Sequence, residues 1–258
     1  MKTKIRFKII GHNKTIPFNY KKKVSSLFLK MIGSKNKAFS DKLHDVDLIS
    51  PYVISNIRFE SGYKIDRKLG FDVSSPGYIS IEVSSFVPDI HSLLNGLKGE
   101  MFHISGDNDR IFLKVDYVSC TDESLGTRED TDIVYRSTFK SNDFCLLKDG
   151  YKKGIRISYE PQEFASTEFK TAFFQNLIKK YENTQNTKSN FDVNSMDILM
   201  GSTSSSLTKI NFSGENLNVK GYKVTFSLIC PNELKEVAYT NGIGNYNKNL
   251  FGFVNLVK

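Results

Sequence analysis

The sequence predicts an α+β protein made of two ferredoxin-like (RRM-like) βαββαβ units in tandem, closing on a C-terminal glycine-rich loop. Three observations predict it. In each half a strand-like segment precedes an apolar stripe of helical spacing, two strand-like segments follow that stripe, and a proline then opens a second helix before a last strand. At 258 residues the chain has room for both units, read as domains 1–120 and 121–258.

Residues 4–10, KIRFKII, alternate as a half-buried strand does. Val24, Leu27, Phe28, Met31 and Ile32 fall at i, i+3, i+4, i+7 and i+8, the stripe of an amphipathic helix that Gly33 is placed to end. A short helix over about 38–45 carries His44, and strands follow around 51–60 and 77–86, the second reading YISIEVSSF. Pro88 opens a helix with Ile90, Leu93, Leu94 and Leu97 on one face, and 101–118 return to strand character. In the second half, strand-like segments between 131 and 158 lead to a helix in which Phe169, Phe173, Leu177 and Tyr181 step by four. Strands near 193–212 and 218–230 come next, with Val224, Phe226, Leu228 and Cys230 in alternation; Pro231 starts a short helix, and NGIGNYNKNLFGFVNLVK ends the chain.

Composition narrows the function. Three widely spaced cysteines, Cys120, Cys145 and Cys230, argue against a disulfide framework and a zinc site and for a reducing cytoplasm. The short apolar run at the start and the lack of an apolar stretch of about eighteen residues argue against export and membrane insertion. The net charge is +8, and residues 1–50 hold twelve Lys or Arg against three Asp, a bias that suits phosphate backbones. No Walker loop, dinucleotide-binding fingerprint, zinc-protease helix or nucleophile elbow is present, and no motif supports a metal or cofactor. The proton carriers for neutral pH are His12, His44, His91 and His103. His91 near a helix start and His103 in a strand suit structural or surface roles, His12 lies in a turn, and His44 lies in the basic first third.

The last eighteen residues resemble the glycine-rich loop of the RAMP superfamily of CRISPR-associated proteins. The whole chain is similar to the repeat-processing endoribonucleases of that superfamily, the sixth Cas protein family. The resemblance is carried by IPFNYKKKVSSLFLKMI with FSDKLHD after it, by YISIEVSSFVPDIHSLLNGL, and by Gln175 to Tyr181 in the position of a recurrent FNLIKKYE-type segment. It implies a metal-independent endoribonuclease that cuts CRISPR precursor RNA within repeats, the 2′-hydroxyl attacking its phosphate to leave a 2′,3′-cyclic phosphate and a 5′-hydroxyl. His44 matches the catalytic histidine. The family's tyrosine on the first helix is replaced by Leu29, and no lysine follows His44 within DVDLIS, so Tyr20, Lys21, Lys22, Lys30 and Lys42 are the candidate helpers. Gly242, Gly244 and Gly252 would turn backbone amides toward phosphates, with Asn245, Tyr246, Asn247, Lys248 and Asn249 adding contacts and Lys22 and Lys23 adding charge. Leu250 stands where the family's final G-F-G has its first glycine. The implied partner is repeat RNA, with a CRISPR interference complex and a second copy of the chain as further candidates. Two other readings stand beside this one: a non-catalytic RAMP subunit that binds guide RNA, and a tandem RNA-recognition protein unrelated to CRISPR. The latter lacks the aromatic RNP sequence it would need.

Overall fold

The computed structural model describes residues 1–11, 14–44, 50–105, 110–121, 137–152, 155–212 and 215–256, so His12 lies outside the described residues. The first half forms an antiparallel sheet centred on β1 (Lys2–Ile10), and the expected strands around 51–60 and 77–86 are three. Along the chain these elements are β2 (Lys14–Pro17), β3 (Tyr52–Ile54), β4 (Arg58–Asp66), β5 (Gly70–Ser85), β6 (Met101–Ser105) and β7 (Arg110–Thr121). Strand β1 pairs with β5 and β7; β2, β3 and β4 pair with β5, and β6 edges β7. The path β4-β5-β1-β7 is the ferredoxin-like order. The second half repeats it as β11-β12-β8-β13, built from β8 (Ser137–Phe144), β11 (Asp197–Phe212), β12 (Glu215–Ile229) and β13 (Phe253–Leu256). A hairpin of β9 (Leu147–Lys152) and β10 (Ile155–Ser158) is inserted after β8. The helices are α1 (Lys21–Lys35), α2 (Lys37–His44), α3 (Pro88–Asn95), α4 (Thr167–Gln185) and α5 (Asn232–Asn241). No helix among the described residues is long and apolar enough to cross a membrane.

Local chemistry sets these boundaries. Helix α1 buries Val24, Leu27, Phe28, Met31 and Ile32 in one core with Ile5, Phe7 and Ile9 of β1. It does not stop at Gly33 as the sequence suggests. The Ser40 hydroxyl donates to Leu29 O at 2.9 Å, and its oxygen lies 3.4 Å from where a Gly33 Cβ would stand, so Gly33 gives α2 room to pack instead. Asn36 makes the break, its Oδ1 accepting from Phe39 N at 3.0 Å. In the second half Ser166 caps α4 by accepting from Phe169 N, and Phe169, Phe173, Phe174 and Leu177 share a core with Phe144, Val224, Phe226 and Leu228.

Two buried cations join the halves. Lys2 of β1 donates to Val254 O of β13 at 2.5 Å and lies over the Tyr239 ring at 4.0 Å. Lys21, at the start of α1, pairs with Asp143 of β8 at 2.9 Å, both side chains under one-tenth exposed, while Asn56 donates to the same carboxylate at 2.6 Å. Asp143 reaches across because the β8–β12 register shifts there and its φ is +55°, which turns the side chain out of the ladder. Gly221 allows the bulge, since a Cβ at that position would lie 3.0 Å from Asp143 Cα.

Removing one partner of such a pair strands the other charge in the interior. Asp143→Ala is expected to cost about 3–5 kcal/mol in urea unfolding. The double variant Lys21→Met/Asp143→Leu should recover most of that loss; equal losses in both would show that the pair contributes only packing.

Candidate nucleic-acid interface

The glycine-rich loop between α5 and β13 is packed inside the protein. Ile243 N donates to Gly252 O at 3.0 Å and Asn245 N to Cys145 O at 2.7 Å, while Asn245 Oδ1 accepts from Leu147 N at 2.9 Å. The three glycines stand at φ values of +67° to +74°. A Cβ on Gly244 would lie 2.2 Å from Cys145 O, and one on Gly252 would lie 1.9 Å from Ile243 O. These glycines admit the protein's own backbone, and the amides beside them donate internally. That differs from amides turned outward toward phosphates. Asn247 is buried too, its Nδ2 donating to Ile243 O at 3.1 Å and Phe251 O at 2.9 Å. Leu250 adopts a left-handed φ of +63° and buries its side chain in the N-terminal core. Tyr246 and Lys248 remain partly exposed at the rim, Tyr246 edge-on to Phe251.

The rim meets α1. The Lys21 ammonium lies 3.9 Å from the centre of the Phe251 ring, and α1 packs on the short 3-10 turn Asn247–Asn249. Of the helpers named from the sequence, Tyr20 and Lys21 are inside. Burial, then the Asp143 charge, pushes the Tyr20 phenol well above its usual range, with the Ile57 backbone pulling the other way. Burial lowers the Lys21 pKa against the opposing pull of Asp143. Lys22 and Lys30 are exposed on the outer side of α1 at i and i+8, Lys23 is half-buried, and Lys42 and His44 are exposed at the end of α2. Ser40 and Leu43, both buried, are what hold that end of α2 in place.

The other histidines divide. His91 is structural: Nε2 faces Ser85 O at 3.1 Å and Nδ1 lies 2.7 Å from the Thr3 hydroxyl. His103 was not marked by the sequence as a site residue, yet its Nε2 lies 3.5 Å from Lys30 Nζ. Burial, then the charges of Lys30 and Arg110, holds its pKa below the ordinary histidine value. Only the pairing of β6 with β7 and the packing of α1 on β6 bring Arg110 and Lys30 to it, so no sequence spacing could reveal the cluster. The basic bias of the first fifty residues is also partly spent on pairs within the protein. Lys4 and Arg6 pair with Glu60 at 3.2 and 3.0 Å, Lys35 with Glu100, and Lys2 and Lys21 link the two sheets.

The arrangement is that of two ferredoxin-like sheets in tandem, with a glycine-rich loop seated against the first helix. Residues 145–256 match the family model described as CRISPR associated protein Cas6, C-terminal. Solved structures of similar fold include a RAMP protein binding different RNA substrates, at TM-score 0.76 and 17% identity over 100% of both chains. Another is the product of a Cas6-related gene from Pyrococcus furiosus, at 0.77 and 17% over 100% of this chain and 98% of that one. A third is a CRISPR associated protein Cas6, at 0.73 and 17% over 100% and 99%. No curated protein matches the sequence significantly. Residues 145–256 thus match a Cas6 C-terminal model, and the whole chain shares its fold with these solved structures.

The packing of the loop makes a graded prediction. Gly252→Ala and Gly244→Ala should each cost more than about 2 kcal/mol, because strain at positive φ is joined by a backbone clash. Gly99→Ala, at φ +87° with open space around it, should cost only about 1–2 kcal/mol. Equal effects in denaturant titrations would mean that the loop yields easily.

Proposed function

We propose that this protein is a metal-independent endoribonuclease that cuts CRISPR precursor RNA within its repeats. The observation that carries the reading is that residues 145–256, which match the Cas6 C-terminal model, enclose the glycine-rich loop, and this loop packs on α1, the helix that α2 and His44 follow. RNA binding is supported further by the similar fold of a RAMP protein binding different RNA substrates.

In the proposed step the 2′-hydroxyl of the nucleotide before the cut attacks the adjacent phosphorus. The P–O5′ bond breaks, the proton leaves the 2′-oxygen, and another reaches the 5′-oxygen. His44 carries one of these protons. Its exposed position at the end of a helix anchored by Ser40 and Leu43 suits a group that must reach a docked strand. Lys42, Lys22, Lys23 and Lys248 supply cations for the phosphates, and Tyr246 supplies a ring for a base. Lys30 faces His103 and serves there. Tyr20 and Lys21 belong to the interior, which favours, as a second reading, a subunit that binds guide RNA without cutting it.

The test is cleavage of the repeat RNA from the host's own CRISPR array, in excess EDTA. A single cut with a cyclic-phosphate end is expected, slowed about 10²- to 10⁴-fold by His44→Ala and little changed by His103→Ala. Slowing by His103→Ala instead would move the proton carrier to the β6 cluster. Tight binding without any cut would favour the guide-binding reading.

A further inference from the structure

The apolar stripe of α4 ends on a lysine. Phe169, Phe173 and Leu177 are followed by Lys180, which is 1% exposed. A leucine there would continue the core. Lys180 Nζ instead donates to Gly242 O at 2.8 Å and to Asn247 Oδ1 at 2.7 Å. Asn247 passes the hold on to Ile243 O and Phe251 O, carbonyls on opposite limbs of the loop. One side chain of α4 thus fastens both limbs, and without its amine two buried acceptors would lose their donor.

We propose that Lys180 is the positioning residue of the glycine-rich loop, setting the shape in which the loop presents Tyr246 and Lys248 to RNA. Its effect on RNA rests on the function proposed above, whereas its effect on the loop does not.

The protonation of the site fits this role. Burial lowers the Lys180 pKa to about 7, and no charge contributes. On α4, Lys179 is exposed and Glu182 is turned to Ser189 and Lys188; on α5, Glu233 and Glu236 are exposed, and Lys235 lies near Cys230. Tyr52 is the titratable residue of β3, and Lys248 that of the short turn. A neutral amine has two N–H bonds, and the site offers two acceptors. Because an unfolded lysine titrates near 10.5, the native site holds fewer protons than the unfolded chain between about pH 7 and 10.5. Stability of the loop therefore rises with pH through that window, and the penalty is complete below it.

Hydrogen exchange at the Ile243 and Asn245 amides tests the proposal on the full chain without RNA. Lys180→Met should leave β1 and β12 protected but speed loop exchange about tenfold or more. Between pH 7 and 9, after correction for intrinsic rates, the wild type should gain loop protection that the variant does not. If Lys180→Met fails to fold, Asn247→Ala removes one acceptor and the link between the limbs and should loosen the same amides. Unchanged loop exchange in whichever variant folds overturns the proposal. The RNA half is tested by repeat-RNA affinity, expected to fall about tenfold in the loosened variant. A loosened loop with unchanged affinity overturns the role in presenting RNA, while a wild type that binds no repeat RNA overturns the proposed function and leaves the exchange result supporting the lock.

Discussion

Asp143 accepts from Asn56 and pairs with Lys21, so one carboxylate of the C-terminal sheet holds the start of α1 and the segment before β4. The Lys21 ammonium lies over Phe251 on its other side. The helix with the outward lysines, the loop and the two sheets therefore share a single charged junction. An ion pair this deep adds little net stability, because desolvation offsets attraction. It imposes geometry, since other placements of the halves would leave a bare charge buried.

The glycine-rich loop obeys a related constraint. Its backbone passes so close to Cys145 and to its own other limb that no side chain fits at Gly244 or Gly252. Lys180 and Asn247 then occupy the carbonyls that the turn leaves inside. A loop fastened this way can offer RNA only its rim, where Tyr246 and Lys248 stand. In the proposed function the interior of the loop sets position, and recognition falls to the rim, α1 and the end of α2.

Charge follows the same division. Lys2, Lys4, Arg6, Lys21 and Lys35 serve contacts within the protein and Lys30 meets His103, while Lys42 is exposed at the end of α2. Net charge marks a basic first third, but the attraction for a phosphate backbone depends on which cations stand exposed at the surface.

Periodicity in the sequence determined the tandem fold: Val24 to Ile32, Phe169 to Leu177 and Val224 to Cys230 are buried as their spacing requires, because backbone geometry alone sets which side chains share a face. The sequence also placed His44 at the end of a short helix. Tertiary structure decided the rest. Tyr20 and Lys21, named from the sequence as candidate helpers, lie inside with Lys180, and Gly33 reads as a helix stop and makes room for Ser40. His103 reads as a strand residue and meets Lys30 from another element. Their roles come from groups distant in the chain, a carboxylate 122 positions beyond Lys21 and carbonyls 62 and more beyond Lys180, and no local pattern records such distances.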